Sequence, residues 1–126
     1  MNNFSNMKPV INKTSFGSIT VDRVSYDHDI IITSDAKVKK RKKKLSKAIY
    51  GTSHTISLDE IKYVYQDSPK GIIIGTGQYG VADLSNEARE FLRGNNCQVV
   101  LKSTPEAIQE WNNTKGNWIG LFHITC

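Results

Sequence analysis

Apolar and polar residues alternate in blocks along the second half of the chain. Short apolar runs at residues 72–74, 97–101 and 118–125 have the length of buried strands. Between these runs, Ser85 and the sequence Thr104-Pro105-Glu106 are start signals for two helices. The order strand, helix, strand, helix, strand with short connections predicts that the three strands are parallel neighbours in one sheet.

The first half of the chain contains shorter apolar runs. Residues 16–22 and 26–33 have strand character, and the polar turn between them predicts an antiparallel hairpin. Ser57 and Glu60 form a capping box ahead of apolar residues at helical spacing, so a further helix is expected at about residues 57–66.

Length and composition predict one folded domain. A chain of 126 residues with 38% hydrophobic residues can bury one core. Residues 1–13 are polar and are predicted to form a mobile lead-in, which leaves residues 14–126 as the domain. We therefore expect a compact α/β fold with a mixed central sheet and an N-terminal antiparallel ribbon.

The sequence carries no pattern that predicts a membrane span or export. No apolar run approaches the length of about 18 residues that a transmembrane helix needs, and the polar N-terminus lacks the apolar run of a secretory signal. Cys97 and Cys126 are the only cysteines, and their spacing does not suit a metal site or a disulfide framework. A cytoplasmic protein without metal is therefore predicted.

Positive charge is concentrated in residues 37–47. This segment holds eight basic residues and no acidic residue, whereas the rest of the chain has nine basic and 12 acidic residues. Such density attracts phosphate groups, so nonspecific nucleic-acid binding is one hypothesis. Lysines on an exposed edge strand also prevent edge-to-edge pairing, and a solvated ribbon is the favoured interpretation. The predicted basic surface comprises Lys39, Lys40, Arg41, Lys42, Lys43 and Lys44.

Gly75, Gly77 and Gly80 follow an apolar strand with the spacing G-x-G-x-x-G. In dinucleotide-binding folds this turn opens directly into a helix, and an acidic residue ends the next strand. Here the next helix is predicted to start only near Ser85, and Lys102 takes the place of the acidic residue. No dinucleotide or other cofactor is therefore expected.

The glycine turn still marks a candidate cleft, because open α/β sheets place ligands at the carboxyl ends of their parallel strands. A tight turn with a purely structural role is the alternative interpretation. A polar loop with Ser53 and His54 is placed at the same rim, and His123 is expected to be a hydrogen-bonded core histidine. The predicted cleft residues are Ser53, His54, Gly75, Thr76, Gly77, Gln78 and Tyr79.

Six sequence blocks, taken in order, resemble the Mth-type domain family. They are residues 15–19, 26–31, 50–54, 74–77, 104–108 and the ending His123-Ile124-Thr125-Cys126. Relatives in this family include an adipogenesis-associated protein and a mitochondrial assembly factor for respiratory complex I, and the lysine-rich stretch is most similar to the archaeal form. The resemblance covers residues 14–126 and implies a three-layer fold with a mixed central sheet. It implies no catalytic residues.

These observations favour a non-enzymatic binding or assembly module whose polar cleft at residues 75–80 receives a protein partner or a small anion. The alternative is an enzyme on a small anionic substrate, with His54 as acid or base and the Gly77 backbone as anion holder. A further alternative is nucleic-acid binding through residues 37–47. The oligomeric state is not predicted.

Overall fold

The protein is described by a computed structural model of residues 8–126. Residues 1–7 of the predicted lead-in lie outside the described residues. Residues 11–13 were assigned to the same lead-in, but they begin strand β1 (Ile11–Ser15). This strand is hidden in the sequence because Ile11 is its one buried residue, so its composition is that of a polar segment.

A small antiparallel sheet follows from this first strand. Its order is β1-β2-β3, with β2 at Ser18–Val21 and β3 at Val24–Tyr26. The predicted hairpin is therefore only partly correct. Its second strand divides into β3 and a separate strand β4 (Ile30–Ile32), which joins the central sheet.

The central sheet contains β4 together with β5 (Val38–Lys40), β7 (Gly71–Thr76), β9 (Gln98–Lys102) and β10 (Trp118–His123). Its strand order is β5-β4-β10-β7-β9. Strands β10, β7 and β9 are parallel to one another, as predicted, whereas β4 is antiparallel to β10 and β5 is antiparallel to β4. The mixed sheet is thus confirmed.

In the described part of the chain, four helices and a short parallel pair of strands accompany the sheet. Ser57 and Ser85 cap their helices as predicted, each accepting a hydrogen bond from a backbone N–H three residues later. None of the helices within residues 8–126 is long and apolar enough to cross a membrane. The helices are α1 Lys44–Tyr50, α2 Leu58–Val64, α3 Asn86–Gly94 and α4 Thr104–Asn113, and the pair is β6 Thr55–Ile56 with β8 Asp83–Leu84.

Both faces of the central sheet are buried, which gives the domain three layers. Ile72 and Ile74 pack into a core with α2 and α3, whereas Ile73 between them packs into a second core with α4 and the small antiparallel sheet. Alternate side chains of a strand point to opposite faces, so an uninterrupted apolar run is what a doubly covered strand requires.

The basic segment is not one extended ribbon. It enters as the edge strand β5, turns after Lys40, and continues as α1 from Lys44. The lysines of the strand are exposed at the free edge of the central sheet, where their charge opposes pairing with another strand.

Candidate functional site at the carboxyl edge of the central sheet

Several chain segments meet where the parallel strands β7 and β10 end. Strand β7 ends at Thr76 and β10 ends at His123. Because β4 runs antiparallel to β10, the residue before it, Asp29, lies at the same edge. Arg41 follows β5 and donates its backbone N–H to the carbonyl oxygen of Asp29 over 3.0 Å. The topology therefore gathers ionisable side chains from distant parts of the sequence.

Arg41 is the centre of a buried ion network. Its Nη1 donates to Asp29 Oδ2 over 2.8 Å, and its Nη2 donates to Glu60 Oε1 over 3.0 Å and to the Ser53 carbonyl over 2.8 Å. Its Nε also donates to the second oxygen of Glu60. The planar guanidinium thus uses its fork of donors on two carboxylates and one carbonyl.

The prediction that Arg41 belongs to the basic surface is therefore wrong. The residue is only 3% exposed, whereas the lysines on both sides of it are exposed. Burial by itself lowers the pKa of Arg41, but its bonds to Glu60 and Asp29 outweigh burial and raise the pKa further. The one arginine in a run of lysines was the available sign, because only arginine satisfies two carboxylates in this geometry.

Glu60 connects the network to the packing of α1 against α2. Ser46 on α1 donates its hydroxyl to Glu60 Oε1 and accepts the backbone N–H of Ser57 over 2.9 Å. Ser57 is the residue that caps α2. The capping box predicted from the sequence therefore contains a glutamate whose carboxylate serves the ion network instead of reaching back to its own helix end.

Asp29 also holds the end of β10. Its Oδ2 accepts a hydrogen bond from His123 Nδ1 over 2.7 Å, and its Oδ1 accepts the Ile124 N–H over 2.9 Å. Burial alone raises the pKa of Asp29, but the hydrogen bond and charge interaction with His123, the Ile124 bond and the charge of Arg41 outweigh it and lower the pKa to about 2. Asp29 is thus ionised at neutral pH.

His123 is a buried, hydrogen-bonded histidine, as predicted. It is 2% exposed, and its Nε2 lies 3.2 Å from the Thr125 hydroxyl. The ring of His54 packs edge-on against it with 5.5 Å between the ring centroids. The two histidines, a carboxylate and a hydroxyl therefore form one contiguous group at this edge of the sheet.

The backbone of the glycine turn is occupied by contacts within the protein. The N–H of Gly77 donates to Thr104 Oγ1 over 2.9 Å, and the N–H of Gln78 donates to the Thr125 carbonyl over 2.6 Å. The next N–H groups of the turn bond the carbonyls of Cys126 and of Gly77 itself. These N–H groups are therefore not free to hold an anion, which argues against Gly77 as an anion holder.

Gly77 has a steric reason to be glycine. Its φ is +106°, and a Cβ at this position would lie 2.3 Å from the carbonyl carbon of Cys126 and 2.9 Å from His123 Cδ2. Gly80 has a φ of +72°, and the nearest atom to a Cβ there is 3.6 Å away. The first of these glycines thus permits close packing against the 123–126 segment, and the second permits a left-handed turn.

The glycine turn carries an exposed aromatic side chain beside a second one from the small sheet. Tyr79 is 78% exposed and Phe16 is 59% exposed, with their ring centroids 6.4 Å apart. Val81 follows in the same turn and is also exposed. We call Phe16, Tyr79 and Val81 the aromatic ledge.

Two hydrogen bonds fix the ledge. Gln78 Nε2 donates to Thr14 Oγ1 over 3.0 Å, and the N–H of Gly17 donates to the Ile124 carbonyl over 2.8 Å. The sequence predicts Tyr79 at this surface but places Phe16 at the start of a strand. An aromatic residue directly before the turn glycine Gly17 was the sign that it could be exposed.

A shallow depression lies on the other side of the turn. It has a volume of about 500 Å³ and lies between the ends of β7 and β9. The predicted cleft residues are thus divided: Thr76 lines this depression together with Gly80, whereas Ser53 and His54 lie over the ion network. The lining also includes Val81, Asp83, Lys102 and Glu106.

Comparison with known proteins identifies the family. The family model described as a protein of unknown function (DUF498/DUF598) matches residues 11–117, which is most of the chain. The chain belongs to the DUF498/DUF598 family. The family match includes Asp29, Arg41 and Glu60 of the ion network, and it begins at the first residue of β1.

Solved structures support the assignment to the DUF498/DUF598 family. The conserved hypothetical protein PH1505 from Pyrococcus horikoshii OT3 is 32% identical, with a TM-score of 0.83 over 92% of this chain and 98% of that chain. A structure described as MT938 is 28% identical, with a TM-score of 0.79 over 94% of this chain and 100% of that chain. No curated protein matches the chain.

A third structure shares the fold of this DUF498/DUF598 protein. It is a protein from Bordetella pertussis described as a Mth938-like domain, and it is 14% identical, with a TM-score of 0.59 over 98% of this chain and 92% of that chain. The resemblance to an archaeal Mth-type domain is thereby confirmed. Within residues 8–126, no group of three or more His, Cys, Asp or Glu side chains is arranged to hold a metal ion.

Proposed function

We propose that this DUF498/DUF598 protein is a non-enzymatic binding or assembly module that engages a protein partner through the aromatic ledge. The observation that carries the proposal is the exposed pair Phe16 and Tyr79. They lie on two turns, each of which is bonded through its backbone to the 123–126 segment. Large aromatic side chains bury much apolar area per residue when a partner covers them, and they dominate the binding energy of many interfaces.

The rigidity of the ledge supports this function. The turn is bonded to the 123–126 segment, which is itself held by Asp29 and the ion network. A surface that is already ordered loses little conformational entropy on binding, so more of the contact energy appears as affinity. The buried ions thus contribute to binding by fixing the position of the ledge, although they lie below the surface.

The neighbouring depression supplies a polar border for the same interface. Asp83, Lys102 and Glu106 line it beside Val81, which belongs to both features. An apolar centre with a polar rim is the usual arrangement of a protein interface. A cytoplasmic location is part of the proposal, because Cys97 and Cys126 are both free thiols.

The test is quantitative affinity capture from source cells with the wild-type protein and two matched variants. We expect Phe16→Ser/Tyr79→Ser to retain the fold and to reduce recovery of a specific protein at least tenfold, as removal of two central aromatic anchors does in other interfaces. Val24→Ser is the control, because Val24 is similarly exposed at the opposite end of β2. Equal recovery by all three proteins contradicts the proposal, as does a homodimer that the double variant disrupts.

A second candidate function is acid–base catalysis on a small anionic substrate through His54. It is favoured by the contact of His54 with His123, whose ring is oriented by the Asp29 carboxylate. The test is hydrolysis of a panel of small phosphate and carboxylate esters by the wild type and by His54→Gln. A rate that depends on His54 supports catalysis, and equal rates for the two proteins contradict it.

A further inference from the structure

A concave basic surface lies between strand β5 and helix α1. It is a depression of about 370 Å³, and its lining consists of basic residues alone. Arg41 forms part of this lining, but its guanidinium is engaged by Asp29 and Glu60 below. The remaining side chains are exposed, and we call them the lysine basin: Lys40, Lys42, Lys43, Lys44 and Lys47.

The inward direction of Arg41 explains why the basin is concave. The backbone N–H of Arg41 donates to the Asp29 carbonyl, and the Arg41 side chain enters the core. The position of the chain is therefore fixed at Arg41. After it, the backbone turns into α1, with the N–H of Leu45 donating to the Lys42 carbonyl over 3.0 Å. Lysines before and after Arg41 therefore surround the same depression.

The positive charge of the basin is not neutralised by neighbouring side chains. Within residues 8–126, no lysine of the basin lies within salt-bridge distance of a carboxylate. The two carboxylates bonded to Arg41, Asp29 and Glu60, are buried and paired with its guanidinium. Five ammonium groups held around one depression repel one another, and an anion that enters relieves this repulsion.

We propose that the lysine basin binds a compact phosphate-rich anion, in which several linked phosphate groups lie within one depression. Lysine ammonium groups bind phosphate oxygens as point charges through short, charge-assisted hydrogen bonds. A nucleic-acid strand carries one charge about every 3.4 Å along its axis, so a protein binds it through an extended row of contacts to successive phosphates. Several cations lining a single depression instead match a small ligand of higher charge density. The basin shares no residue with the aromatic ledge, so this site is independent of the proposed protein interface.

The test is calorimetric titration of the full chain with inorganic tripolyphosphate, with orthophosphate at equal ionic strength for comparison. We expect tripolyphosphate to bind at least about tenfold more tightly than orthophosphate, because several ammonium groups act together. Lys42→Glu/Lys44→Glu reverses two charges of the basin. It is expected to weaken tripolyphosphate binding roughly tenfold or more.

The matched control is Lys13→Glu/Lys115→Glu, which changes the net charge equally at two exposed lysines outside the basin. We expect its affinity to stay within about twofold of the wild type, since charges beyond about 10 Å are screened. Equal weakening in both double variants overturns the proposal in favour of a net-charge effect. Binding to a single-stranded oligonucleotide or to anionic lipid vesicles, without binding to tripolyphosphate, overturns it as well.

Discussion

Replacement of Arg41 by methionine tests the role of the buried ions most severely. Methionine fills a similar volume but removes the bonds to the two carboxylates and to the Ser53 carbonyl. Asp29 and Glu60 then remain buried beside each other without the guanidinium between them. Breaking a buried ion network in this way costs about 3–5 kcal/mol, a large part of the roughly 5–15 kcal/mol that stabilises a typical domain.

The assay is urea denaturation at pH 7, in which tryptophan fluorescence monitors unfolding. Lys40→Met is the matched control, because Lys40 is an exposed neighbour of Arg41 and makes no salt bridge with the described residues. We expect it to change the free energy of unfolding by no more than about 0.5 kcal/mol. Arg41→Lys should fall between the two, since lysine keeps the charge but loses the planar fork of donors.

A second comparison separates the buried charges from simple packing. Adding Glu60→Gln to Arg41→Met removes one of the two carboxylates that the first change leaves without its partner. If the cost arises from buried charge, the double variant should be no less stable than Arg41→Met alone. The role assigned to the network would be refuted if Arg41→Met lost no more than about 0.5 kcal/mol of unfolding free energy beyond Lys40→Met. Fully additive losses for Arg41→Met and Glu60→Gln would refute it as well.

Three further predictions concern pH, the glycine turn and the thiols. The folded-state pKa of Asp29 is lowered from 3.8 to about 2, so the ionised carboxylate stabilises the fold by on the order of 2 kcal/mol above about pH 4. This contribution is lost as the pH falls to about 2, and Asp29→Asn should abolish that loss in acid denaturation curves. Gly77→Ala should destabilise the fold far more than Gly80→Ala, which costs about 1–2 kcal/mol, because only the first Cβ collides with Cys126; equal losses in thermal melts would contradict this. Burial raises the pKa of the Cys97 thiol to about 11, so a thiol reagent at about pH 8 should label the half-buried Cys126 first, as peptide mass spectrometry can show.

The general fold could be predicted because its signals are local. The apolar runs of β7 and β10 are long enough to identify strands buried on both faces, and the serine caps of α2 and α3 mark helix starts. Strand β1 escaped prediction because Ile11 is its one buried residue. Edge and ribbon strands bury little, so their sequences resemble polar loops.

The site was harder to predict because its members are distant in sequence. Asp29 and His123 are 94 residues apart, and no local pattern announces their hydrogen bond. Arg41 stands out locally as the one arginine of its run, but its partners Asp29 and Glu60 lie in other segments, so the sequence does not identify them. The glycine turn was located correctly, but its N–H groups bond acceptors within the protein, in Thr104, Gly77 and the 123–126 segment. A glycine motif indicates close packing; it does not tell whether a ligand or the protein supplies the contact.

The most direct measurement of the proposed binding function is photo-crosslinking from the aromatic ledge in living cells. A photoreactive phenylalanine analogue is placed at position 79, where the native tyrosine is 78% exposed, and in a second strain at position 24 as control. Irradiation should give one discrete protein adduct from position 79, little or none from position 24, and a strong reduction of the first when Phe16→Ser is added. Equal adducts from both positions, or none from position 79, would contradict a protein interface at the ledge.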